Sequence, residues 1–117
     1  MVSNQDIWSY RGSDEWPSMD VVGYKVEATD GDIGKVDEKS NEAGVGYIVV
    51  DTGPWIFGTK VMLPAGVIDR IDVSDGKVYV DRTKDEIKSA PEFDETAYRD
   101  KTYRDSLGGY YDTRRRV

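Results

Sequence analysis

Between Val21 and Asp81 the chain alternates short β-branched and aromatic runs with turn residues, a rhythm that predicts strands. In the run from Val21 to Ala28, Val22, Tyr24, Val26 and Ala28 alternate with Gly23, Lys25 and Glu27, which predicts one buried face and one wet face. Asp30-Gly31 follows between two such runs and predicts a tight reversal at those residues. In the next run Ile33 and Val36 stand three apart, on opposite faces of a regular strand, and a bulge at Gly34 would bring both to one face. Asn41-Glu42-Ala43-Gly44 predicts a second turn. Val45 to Asp51 is then apolar almost throughout and reads as the central strand, buried on both sides. Val61 to Pro64 and Val67 to Ile71 are shorter strands broken at Pro64-Ala65-Gly66. Ser74-Asp75-Gly76 turns the chain into a run from Lys77 to Asp81, where Val78 and Val80 face inward. The pattern sums to a mainly β fold, a small antiparallel barrel of five or six strands, closed or nearly closed.

After the strands the period changes. Thr83-Lys84-Asp85-Glu86 fits a capping box, and Pro91 ends the short helix that it starts. A second helix is predicted over about 94–107, supported by the i, i+4 pairs Glu95 with Arg99 and Asp100 with Arg104, and stopped by Gly108-Gly109. Its apolar stripe of Tyr98, Tyr103 and Leu107 is too thin to stand alone in water. The chain thus divides into an aromatic N-terminal arm at 1–18, a barrel with its short helix at 19–91, and a Tyr-rich C-terminal arm at 92–117 that ends in Arg114, Arg115 and Arg116.

A length of 117 residues gives room for one small domain. With neither cysteine nor histidine, the chain has no disulfide, no thiolate nucleophile, no imidazole base and none of the commonest metal ligands. Most hydrolase and oxidoreductase constellations are excluded, no cofactor or metal is implied, and a non-enzyme is expected. The net charge of −7 opposes a phosphate-neutralising groove, so nucleic acid is an unlikely partner. Tyr98-Arg99 and Tyr103-Arg104 interleave rings with cations, but each arginine is followed by an aspartate that cancels it. No run reaches the length of a membrane span and no basic-then-apolar leader opens the chain, so a cytoplasmic protein without an integral membrane segment is expected.

Val22-Gly23-Tyr24-Lys25-Val26, Asp30-Gly31-Asp32-Ile33-Gly34-Lys35-Val36, Tyr47-Ile48-Val49-Val50-Asp51, Val61-Met62-Leu63-Pro64 and Val67-Ile68 together resemble the PRC-barrel family. This is the barrel of the reaction-centre H subunit's cytoplasmic part and of the C-terminal domain of the ribosome-maturation factor RimM. The likeness covers roughly Met19 to Pro91 and implies a docking module, not an enzyme. Neither relative's specific role is expected to carry over, because neither a second domain of the RimM kind nor a transmembrane helix of the H-subunit kind is read in these 117 residues.

The candidate contact residues are aromatic. Gly53-Pro54-Trp55-Ile56-Phe57-Gly58 sets three large apolar residues in a row between glycines, and such a segment either plugs the barrel or meets a partner. Trp8, Tyr10 and Trp16 precede the barrel, and Phe93, Tyr98, Tyr103, Tyr110 and Tyr111 follow it. Aromatics this dense are expected to pack on the barrel or on a second copy, with a homodimer of crossed arms preferred over arms that order only on a partner. Trp55, Ile56, Phe57, Tyr98, Tyr103, Tyr110, Tyr111, Trp8 and Tyr10 are the expected partner-binding set. Asp30, Gly31, Gly34, Gly53, Asp75 and Gly76 are structural turn residues. Asp30, Asp32 and Asp37 lack the full spacing of a calcium loop and also read as turn residues. The expected function is a non-catalytic interaction or assembly module that self-associates or binds an unknown protein. The alternative is an accessory barrel that handles protons, ions or a small molecule at the surface of a larger complex.

Overall fold

The computed structural model describes residues 7–8, 20–40, 46–53, 60–91, 93, 96 and 100–113. Six strands form one sheet: β1 (Lys25–Ala28), β2 (Gly31–Lys39), β3 (Tyr47–Asp51), β4 (Lys60–Pro64), β5 (Ile68–Asp72) and β6 (Lys77–Val80). Two helices follow, α1 (Lys84–Lys88) and α2 (Lys101–Thr113). The strand order is β4-β3-β2-β1-β6-β5, so the mainly β fold is present but the sheet is not closed by hydrogen bonds. Its two edges, β4 and β5, are consecutive in the chain and joined by a 3-10 turn at Ala65–Val67, where the sequence broke the two strands. Four of the five pairings are antiparallel, as expected, whereas β1 and β6 run parallel.

Curvature comes from extra residues in the ladders. Ile33 is skipped between Val26–Gly34 and Glu27–Asp32, Asp37 between Val36–Val50 and Glu38–Val49, and Asp69 between Ile68–Val80 and Arg70–Tyr79. Each bulge bends its strand and adds twist, which curls six short strands around one core. The first bulge places both Ile33 and Val36 in that core, as their spacing of three requires. Gly34 makes it possible: its φ is +143°, and a Cβ there would lie 2.1 Å from the Asp51 carbonyl oxygen.

Three local expectations shift. The β1–β2 hairpin turns at Thr29-Asp30, one residue early, and Gly31 (φ +148°) already belongs to β2. Val21 is buried while Val22 is 55% exposed, because Gly23 (φ +91°) and the Tyr24 amide donating to the Val21 carbonyl make a turn that interrupts the alternation. β3 is buried on both faces but lies second from the edge, since cover on one side comes from outside the sheet: the Gly46 amide donates to the Trp8 carbonyl (2.7 Å), and Trp8 packs edge-on against Tyr47.

The helices also differ in extent. The capping box of α1 is present, with the Glu86 amide donating to Thr83 Oγ1 (3.1 Å) and the Thr83 amide to Glu86 Oε1 (2.9 Å). α2 starts at Lys101, later than the expected 94, and of the described residues before it Thr96 lies in a turn and Asp100 in a bend. Gly108-Gly109 does not stop it: the helix runs on to Thr113. Its inward stripe is Tyr103, Leu107, Tyr110 and Tyr111, buried at Leu107 and Tyr111 and half-buried at the other two, an i, i+4, i+7, i+8 face that packs on the core and outweighs the low helix propensity of two glycines. No helix among the described residues is long and apolar enough to cross a membrane.

Candidate functional site

Part of the expected contact set belongs to the core of this single chain. Trp8 is 7% exposed, and its ring meets Tyr47 edge to face at 6.5 Å. Two glycines admit the Ile7-Trp8 segment: a Cβ on Gly66 would come within 2.5 Å of the Ile7 carbonyl oxygen, and one on Gly108 within 3.0 Å of Trp8 Nε1. From the other terminus, Tyr111 is fully buried and stands edge-on to Tyr110 at 5.1 Å. The Tyr110 hydroxyl donates to the Glu86 carbonyl (2.6 Å), which ties α2 to α1. Tyr103 and Tyr110 are half-buried against the same cluster. Tyr10, Tyr98, Trp16 and the apolar residues Trp55, Ile56 and Phe57 lie outside the described residues, as does Asn41-Glu42-Ala43-Gly44.

Arg82, to which the sequence gives no prominence, is the hinge of this packing. Its guanidinium is 1% exposed, pairs with the Asp81 carboxylate, donates through NH2 to the Tyr111 carbonyl (3.1 Å) and lies 5.9 Å from the Tyr111 ring centre. A buried charge survives only with such partners. Burial pushes the Tyr111 phenol well above its ordinary range, and among the described residues its hydroxyl has no hydrogen-bond partner.

An open cleft lies elsewhere, where β1, β2 and the end of β3 meet the start of α1. It has a volume of about 620 Å³ and is lined by Lys25, Asp32, Ile33, Gly34, Lys35, Asp51, Thr52, Gly53 and Lys84. The expected turn residues build its walls. The Asp30 carboxylate accepts from the Lys84 amide (2.9 Å), which fixes α1 against the hairpin and sets Lys84 on the rim. Asp32 accepts from the Gly34 amide (3.2 Å) and Asp51 from the Gly53 amide (2.9 Å), so each acid folds its own turn. Gly53 takes φ +56°, and Asp75 and Gly76 (φ +64°) form the β5–β6 turn, the Asp75 amide donating to Asp72.

The bulge register gives the cleft its charge. Lys25 on β1 is the direct cross-strand partner of Lys35 on β2, so both side chains leave the same face of the sheet. In the same row Lys25 neighbours Lys77 on β6, Lys35 neighbours Asp51 on β3, and Asp51 neighbours Lys60 on β4. The outer lysines are paired, Lys77 with Glu27 (3.1 Å) and Lys60 with Asp37 (3.0 Å). The hydrogen bond that Lys77 donates to the Glu27 carboxylate raises the Lys77 pKa and keeps it charged. Lys25 and Lys35 are exposed and make no ion pair among the described residues. Sequence reasoning had not singled out either lysine.

Comparison of folds relates the chain to a solved structure titled as a 16S ribosomal RNA processing protein, RimM, from Pseudomonas aeruginosa. The two share 21% identity with a TM-score of 0.49 over 63% of this chain and 48% of that one, so the match spans about half of the other protein's length. No family model matches the chain, and no curated protein sequence does.

Proposed function

We propose that this protein is a docking module of the PRC-barrel kind, which binds protein surfaces without doing chemistry on them. The observation that carries the reading is the open cleft whose rim residue, Gly53, begins the apolar Gly53-Pro54-Trp55-Ile56-Phe57-Gly58 segment. A recess whose rim leads in sequence into a run of large apolar residues suits a contact surface, and Trp is the most effective anchor. The lining also favours binding over catalysis. It offers lysines, two aspartates already engaged by backbone amides, and one buried threonine, in a chain without histidine or cysteine.

Self-association through the 53–58 segment is the proposed first partner interaction. A dimer of crossed arms has lost part of its support, because Trp8 and Tyr111 are buried within their own chain. Light scattering over a range of concentrations tests the proposal with Trp55→Ala. The variant is expected to stay folded by circular dichroism while its association weakens by about 2 kcal/mol or more. Association unchanged from the parent overturns the anchor.

A further inference from the structure

We infer that the cleft is a receptor for an acidic, partly apolar peptide segment, whose carboxylates Lys25 and Lys35 grip. The inference rests on the docking reading and names the partner's chemistry. Two lysines directly opposite on neighbouring strands repel each other, and sheets ordinarily place an acid there. This chain has acids in excess, 23 against 16 bases, and supplies one to Lys77 and one to Lys60 in the same row. Among the described residues the inner two make no ion pair, since Asp51, which stands beside Lys35 in the row, accepts from the Gly53 amide instead, and both lysines line the recess with Lys84.

Size and lining decide what fits. A recess of about 620 Å³ is far larger than a bare anion and falls in the ordinary range for organic ligands. Its lining includes Gly34, Gly53 and three lysines, whose aliphatic stems pack on carbon, so an occupant with carbon as well as negative charge suits it. A nucleic-acid strand is disfavoured, because it brings a phosphate at every nucleotide, more charge than these lysines can neutralise beside Asp32 and Asp51, whereas a peptide can present one or two carboxylates with uncharged residues between them. A few carboxylates interleaved with apolar side chains satisfy both demands.

Fluorescence anisotropy on the full chain tests this with a short labelled peptide of alternating Glu and Leu, its Gln-Leu counterpart, inorganic phosphate and a single-stranded oligonucleotide. The Glu-Leu peptide is expected to bind, more weakly as salt rises, and the Gln-Leu peptide not to bind. Lys25→Gln with Lys35→Gln is expected to weaken binding about tenfold or more. Lys101→Gln, an exposed lysine on α2 paired with Asp105, is expected to leave it unchanged. A second readout comes from the free protein: Lys25 stands between Lys35 and Lys77, so Lys25→Gln alone removes like-charge repulsion and should raise the unfolding midpoint by about 1–3 °C. Equal peptide affinity for parent and double variant, or a lysine-dependent preference for the oligonucleotide or for phosphate, overturns the inference. Trp55-dependent association without peptide binding overturns the cleft alone. Loss of association as well removes the docking reading beneath it.

Discussion

Replacing Trp8 by alanine tests whether the first aromatic of the N-terminal arm belongs to the barrel or to a partner. Trp8 is 7% exposed, packs edge-on against Tyr47, and meets Gly108 of α2. An indole hidden to this degree removes on the order of 200 Å² from water, worth about 5 kcal/mol at ~25 cal/mol/Å² as an upper bound. Alanine keeps the Cβ contacts, while the edge-to-face pair and the cavity left behind add to the loss. The expected cost is about 3–5 kcal/mol, a large share of the total stability of a small domain. Urea unfolding followed by circular dichroism reads this as a midpoint lowered by about 2 M. The loss should be the same at dilute and concentrated protein, because all the contacts counted lie within one chain. A cost below about 1 kcal/mol, or one that appears only where the protein associates, would refute the reasoning.

The two consecutive glycines of α2 should respond oppositely to alanine. Gly109 faces open space, so Gly109→Ala gains helix propensity and stabilises by about 0.5–1 kcal/mol, whereas Gly108→Ala drives a methyl against the Trp8 indole and forfeits that gain or worse, as thermal unfolding of the pair would show. Tyr111→Phe removes a buried hydroxyl that has no partner among the described residues, so stability near neutral pH should be unchanged or raised. In alkali the difference widens. The folded phenol is held protonated above its usual range, so the unfolded chain alone releases that proton from about pH 10 upward, and the parent loses about 1.4 kcal/mol per pH unit relative to Tyr111→Phe. Equal slopes for the two proteins in alkaline unfolding would contradict the burial of Tyr111.

Local pattern carried the strands, the capping box and the inward-facing Val78 and Val80, because alternation and turn chemistry act over a few residues. The Ile33/Val36 spacing even announced its bulge. What the sequence concealed is set by register and by distant contacts. A reversal centred on Asp30-Gly31 would pair Lys25 with Val36. Moving the turn to Thr29-Asp30 and adding the Ile33 bulge pairs it with Lys35 instead, so the charged character of the cleft depends on a one-residue shift. Gly108 reads locally as a helix stop, and only the approach of Trp8 from the other end of the chain explains why the helix passes through it. Arg82 looks like a solvated charge until α2 closes over it. Nothing local in its neighbourhood signals burial.

Hydrogen exchange on the full chain at rising concentration tests most directly the claim that both terminal segments complete the barrel while the cleft side meets partners. The account predicts that amides of the Trp8 segment and of α2 around Tyr111 are protected equally at all concentrations, and that residues 53–58 gain protection as copies associate. Protection of Trp8 and Tyr111 that rises with concentration, with residues 53–58 unaffected, would contradict it.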